Sequence, residues 1–234
     1  MATAAHMVMT TAIRMPTTTR MTTDPILILA QWLSPAYPVG SFTYSHGLEA
    51  LVESGAVEDT ASFSEWLSDT MHHGAGQNDV ILLAHAYAAE NNDTLEEIDA
   101  LAQALAPSAE RLLETEQQGK AFVRTAAAIH DIELPNLTYA VAVGRAARLQ
   151  NLPLADTARL FLHAFAANLT SAATRLVPLG QTEAQAVLTA TAPMCQQIVD
   201  HALTQPLGAI ASSTFASDIA SMRHETQYSR LFRS

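Results

Sequence analysis

The sequence predicts an all-α fold: a single-domain helical bundle with a central buried helix, a disordered N-terminal head and a polar C-terminal tail. Apolar residues fill 49% of the 234 positions but aromatics only 6%, so the core is built mostly from Leu, Ala, Val and Ile. Ala loses no side-chain entropy in a helix and Leu loses little. From Pro25 onward the apolar residues recur with helical spacing almost everywhere. Only residues 37 to 44 read as extended, and no set of alternating strands is available to pair with them.

The elements follow in order. The head, "MATAAHMVMTTAIRMPTTTRMTTDP", is rich in Thr and Met, carries Arg14 and Arg20, and has no acid before Asp24. That composition fits an organellar transit peptide or a disordered extension. Too few apolar residues are present to offset the entropy of ordering, which favours disorder over residues 1–23. "SFSEWLSDTMHH" offers a capping box, Ser62 with Glu65, ahead of Phe63, Trp66, Leu67 and Met71 on one face. Gly74 stops that helix, and the next begins at Asp79 and ends in an Asn pair. "TLEEIDALAQAL" has a second box, Thr94 with Glu97, and Pro107 breaks its stripe. The following helix carries Leu112, Phe122, Val123, Ala126 and Ile129, and another lies between Pro135 and Pro153.

Residues 154 to 177 are apolar on nearly all sides, the pattern of a central helix. The last long stripe, from Val187 to Ala202, continues straight through Pro193. A Pro inside a continuing pattern predicts a kinked helix, not two unrelated ones. The all-helical domain is therefore expected over residues 24–214, with a separate tail over 215–234.

Charge and cysteine content narrow the function. Twelve basic against 23 acidic residues give a net charge of −11, which argues against nucleic acid or an anionic membrane as partner. Cys195 is the single cysteine, so an internal disulfide and a Cys-rich zinc site are excluded. No apolar run approaches the roughly 20 residues that span a bilayer. These features read as a soluble, cytoplasmic protein.

Catalytic motifs fail on inspection. "ETEQQGKA" lacks both the first Gly and the final Ser or Thr of a phosphate-binding loop. "TYSHG" has Thr43 where a nucleophile elbow needs Gly, and no parallel sheet stands behind it. Asp69, His72 and His73 form the one spacing a metal could exploit. Histidines in a last helical turn before Gly74 are better explained by the helix dipole. No catalytic residue, metal ligand or cofactor is expected.

What remains is a shaped loop. In "SPAYPVGSFTYSHGLE", Pro35 and Pro38 stiffen the chain, Gly40 permits a turn, and Ser45 can cap a helix starting near His46 or Gly47. Tyr37, Phe42 and Tyr44 crowd into this loop, either to plug the core or to face a partner. Together with "TRLVPLGQTEAQAVL" and the terminal "SDIASMRHETQYSRLFRS", the loop closely resembles the UreF family of urease accessory proteins, over about residue 26 to the last residue.

The resemblance implies an all-helical, dimer-forming protein without catalytic activity. It implies an adaptor linking UreD (also called UreH) to the nickel-carrying GTPase UreG for nickel insertion into apo-urease, and a role in regulating GTP hydrolysis by UreG. The partner-binding residues expected on that basis are Pro38, Gly40, Phe42 and Tyr44 in the loop, and Arg223, His224, Glu225, Tyr228, Arg230, Leu231 and Phe232 in the tail. The competing class is an all-helical small-molecule enzyme that shares the Ser45/His46 loop. For the tail two arrangements stand open. It orders on a partner, with Arg230 desolvated at the contact, or it folds back onto its own acidic body.

Overall fold

The structure, a computed structural model, describes residues 23–234, and every regular element among them is helical. All but the last residue of the expected head lies outside the described residues. The helices are α1 (Pro25–Trp32), α2 (Leu48–Glu53), α3 (Thr60–His73), α4 (Ala75–Ala88) and α5 (Asn92–Ala104). They continue with α6 (Ala109–His130), α7 (Tyr139–Leu149), α8 (Leu154–Leu176), α9 (Gln181–Ala202) and α10 (Phe215–His224).

Two starts sit three residues before the expected capping boxes, for the same reason. The Asp59 carboxylate accepts from the Ser62 amide at 2.8 Å, and the Ser62 hydroxyl donates back to Asp59, so Ser62 is the third helical residue and not the cap. Asn91 accepts from the Thr94 amide at 2.9 Å and displaces Thr94 likewise. An Asp or Asn three residues upstream caps as well as Ser and wins the longer helix. Gly74 ends α3 as expected, but α4 starts at once at Ala75, which places Asp79 inside it. Residues 37–44 are not extended: Gly40 turns the chain at φ 78°, and Ser41–Thr43 form a 3-10 turn.

The closest packing is between α4 and α7. Val80, Ile81, Leu83 and Ala86 of α4 and Val141, Ala142, Val143 and Ala146 of α7 are fully buried. A Cβ on Gly144 would lie 2.2 Å from the Leu83 carbonyl oxygen, so only Gly lets these backbones approach so closely. The expected central helix is α8, which packs against α1, α2, α3, α4, α7 and α9. Along α6 the buried face runs Glu114, Gln118, Phe122 and Ala126, a series at four-residue spacing. Ile129, expected on that stripe, is exposed.

α9 is one helix through Pro193, and Val187, Thr191, Cys195, Ile198, Val199 and Ala202 are all buried on one side of it. Pro193 itself faces solvent, so no neighbour packs around its ring. An interior Pro costs about 3 kcal/mol relative to Ala. Pro193→Ala is therefore expected to raise the thermal midpoint by several degrees. A lowered midpoint would show that the bundle is fitted to the Pro backbone.

Candidate partner-binding surface

The loop and the tail, at opposite ends of the sequence, meet in one place. The Ser45 amide donates to the Ser234 carbonyl oxygen at 2.7 Å, and the Arg233 amide donates to the Thr43 carbonyl at 2.8 Å. The Ser45 hydroxyl adds a 2.5 Å bond to the same Ser234 oxygen. The Ser45 hydroxyl oxygen also accepts a long, 3.4 Å bond from the Glu49 amide in the first turn of α2, but Ser45 does not stand in the N-cap position. The residue in that place is Gly47, at φ 77°, following His46 at φ 55°. A Cβ at Gly47 would lie 2.8 Å from the Ser221 amide nitrogen, so α10 can cross the start of α2 only over a glycine.

Beneath this crossing lies a buried polar network. The Glu49 carboxylate accepts from the Leu231 amide at 2.7 Å and the Phe232 amide at 2.8 Å, and faces His224 Nε2 at 3.2 Å. His224 Nδ1 lies 2.6 Å from Glu110, which also receives Arg230 at 2.5 Å. With carboxylate oxygens at both ring nitrogens, an imidazole carrying two N–H groups satisfies both contacts. Glu225 accepts from the Ala109 amide at 2.8 Å and so caps α6, while Ser108 and Ser221 share a 2.5 Å hydrogen bond.

A second layer centres on Glu114. Its oxygens meet His46 Nε2 at 3.2 Å, the Ser234 hydroxyl at 2.8 Å, Gln118 at 2.9 Å, and the Arg111 guanidinium. Burial pushes this carboxyl up, but Arg111 and then His46 outweigh it and hold it at about 2. Burial, then the Arg111 charge, lowers the His46 pKa, and Glu114 opposes them.

The expected site residues divide sharply. Tyr44 is buried, with its hydroxyl bonded to Gln117 at 2.9 Å, and Tyr37, earlier in the same loop, is buried too. His224 and Phe232 are also interior, the Phe232 ring lying 4.5 Å below the Arg175 guanidinium. Pro38, Arg223, Glu225 and Arg230 are exposed, and Gly40 is half-buried. Among the expected site residues, Phe42 at 60%, Leu231 at 60% and Tyr228 at 105% of full exposure are the large apolar or aromatic side chains presented to solvent. Arg175 ties the two segments together by donating to the Phe42 carbonyl at 2.9 Å while covering Phe232. Of the two arrangements open for the tail, this is the folded-back one.

Reading the sequence missed Glu49, Glu110, Arg111 and Glu114. Their signal was present: Glu114 and Gln118 stand eight and four residues before Phe122, on the face that Phe122 and Ala126 continue. Acids on an otherwise apolar stripe mark a buried network. Among the described residues no group of three or more His, Cys, Asp or Glu side chains is placed to hold a metal ion. His72 Nδ1 instead lies 3.2 Å from the Ser68 carbonyl in its own helix.

Removing one partner of a buried ionic group costs about 3–5 kcal/mol. Glu49→Ala, or removal of residues 224–234, is therefore expected to lower the thermal midpoint strongly. Arg230→Ala should change it little, because half-exposed ion pairs contribute about 0–1 kcal/mol. A truncated chain as stable as the full chain would show that the tail does not hold the fold.

The UreF family model matches residues 57–192. A urease accessory protein UreF from Ruegeria pomeroyi is 51% identical over 213 residues, covering 91% of this chain and 98% of the relative. One from Roseobacter denitrificans is 50% identical over 214 residues, covering 92% and 96%. A third, from Rhodopseudomonas palustris, is 49% identical over 218 residues, covering 88% and 90%. The chain belongs to the UreF family of urease accessory proteins.

Proposed function

We propose that this chain is a non-catalytic, homodimeric adaptor of the cytoplasm that links UreD (UreH) to the GTPase UreG during nickel insertion into apo-urease, and that it regulates GTP hydrolysis by UreG. Family membership supports the urease-maturation part of this reading. The observation that carries the adaptor part is the joining of loop and tail into one surface. Phe42 and Leu231 stand exposed on segments held together by the Thr43–Arg233 and Ser45–Ser234 hydrogen bonds. Exposed aromatic side chains and Arg are the usual anchors of a protein contact, with neighbouring apolar area such as Leu231 completing it. Because the backbone beneath them is already fixed, a partner has little ordering entropy to overcome.

The enzyme reading fares poorly on the same geometry. The Ser45 hydroxyl is buried and spent on the Ser234 carbonyl, and the His46 imidazole is turned to Glu114. A nucleophile and base would need to face each other within hydrogen-bond reach. The helices add no contrary sign of a membrane role: none among the described residues is long and apolar enough to cross a bilayer.

Phe42→Ala and Leu231→Ala remove mostly exposed side chains, so the thermal midpoint should change little, as for surface substitutions generally. Truncating an interface anchor costs about 2 kcal/mol, roughly 30-fold in affinity. Co-purification with UreD, or recruitment of UreG to that complex, is expected to fail for the double variant, and urease activation with it. Normal assembly of the double variant would contradict the placement of the contact here.

A further inference from the structure

Two interior cavities meet at His46, Asp79, Arg111 and Thr115. The larger, of about 350 Å³, lies between α1, the loop after it and α8, and its rim includes the exposed Pro35, Phe42 and Ser171. Its walls are Leu29, Leu33, Val39, Leu160 and Phe165. This size and lining match those of small-ligand sites, which hold about 300–1,000 Å³ with a few polar groups set in apolar walls.

The polar floor is not balanced. Arg111 is paired with Glu114, and His46 is held towards its neutral form by burial and by Arg111. Asp79 lines both cavities, and among the described residues no group hydrogen-bonds its carboxyl; the one cation beside it, Arg111, is already engaged by Glu114, so one carboxylate is left over on the floor. Burial raises its pKa to about 7, Arg111 opposing and Glu114 adding to the shift. A carboxyl in that position stays protonated or takes up a cation.

We propose that this cavity binds a small organic cation, an ammonium or guanidinium on an aliphatic stem. Its head sits on the Asp79 carboxylate and its stem lies between α1 and α8. The apolar walls favour such a ligand over a metal ion, for which Asp79 lacks companion ligands. A stem of methylenes buries against Leu and Phe while the charged head reaches a polar floor, as Lys and Arg side chains do at surfaces. The cation is either a free amine or a basic side chain presented by another protein. The inference does not depend on the urease role.

The test is calorimetric titration of the full chain with n-butylguanidinium chloride, with n-butylurea as the neutral isostere. Saturable binding of one cation per chain is expected near pH 8, at least tenfold tighter than the urea and at least tenfold tighter than in Asp79→Asn. In wild type the affinity should fall about tenfold between pH 8 and pH 6, with a proton released on binding at the lower pH, because the cation selects ionised Asp79. The titratable groups bordering the two cavities are His46, Arg111 and Glu114, Tyr139 of α7, His163 of α8 and Asp218 of α10. The pH arm needs no variant, so it stands even where Asp79→Asn disturbs folding. Arginine capped at both ends then identifies the source: binding as tight as butylguanidinium assigns a protein side chain, and exclusion assigns a free amine. Equal binding of cation and urea, affinity that does not change with pH, or no saturable binding would each overturn the proposal.

Discussion

Glu49 carries a carboxylate into the interior at the start of α2, and the tail is folded around the need to satisfy it. A buried carboxylate is tolerated only when its oxygens are hydrogen-bonded. No donors come from α2 itself. They come from Leu231, Phe232 and His224, some 180 residues later in the chain. Meeting that demand places α10 across α2, which in turn requires Gly47 and seats Phe232 under Arg175. The charge balance follows the same logic. The tail's His224 and Arg230 converge on Glu110, so a basic segment neutralises acids of an otherwise acidic body.

This arrangement bears directly on function. A tail disordered until it met a partner would lose part of its contact energy to ordering. Here the ordering is complete within the chain, and the side chains presented to solvent include Phe42, Tyr228 and Leu231. The interior side chains of the same two motifs hold that display in place. Tyr44, His224 and Phe232 are interior and position the backbone of the two segments, and are not themselves presented at the surface. Ser45 and His46, which look like a nucleophile and a base when read in line, belong to the same scaffold.

Much of this was legible in the residues. Helical spacing gave the all-α class, the bounds of α8 and the continuity of α9 through Pro193, because those stripes are apolar and periodic. The capping boxes were misplaced because Asp59 and Asn91, three residues upstream, outcompete Ser62 and Thr94 for the cap. The network was missed, although Glu114 and Gln118 lie on the Phe122 stripe, because it violates the pattern used to find the core. Glu49, Glu114 and Gln118 occupy buried positions, and hydropathy assigns such residues to the surface. The tail admitted both arrangements because its Arg residues and apolar anchors suit a partner and its own acidic body equally. Only the three-dimensional position of Glu49 and Glu110 decides between them.

The central claim is that the tail is part of the folded chain before any partner arrives. Hydrogen–deuterium exchange on the isolated protein tests this at the amides of Leu231, Phe232 and Arg233, each of which donates to a residue of α2 or of the loop before it. Protection of these amides comparable to that of the α2 amides is the expected result. Exchange at the rate of an unstructured chain, with α2 still protected, would contradict the account.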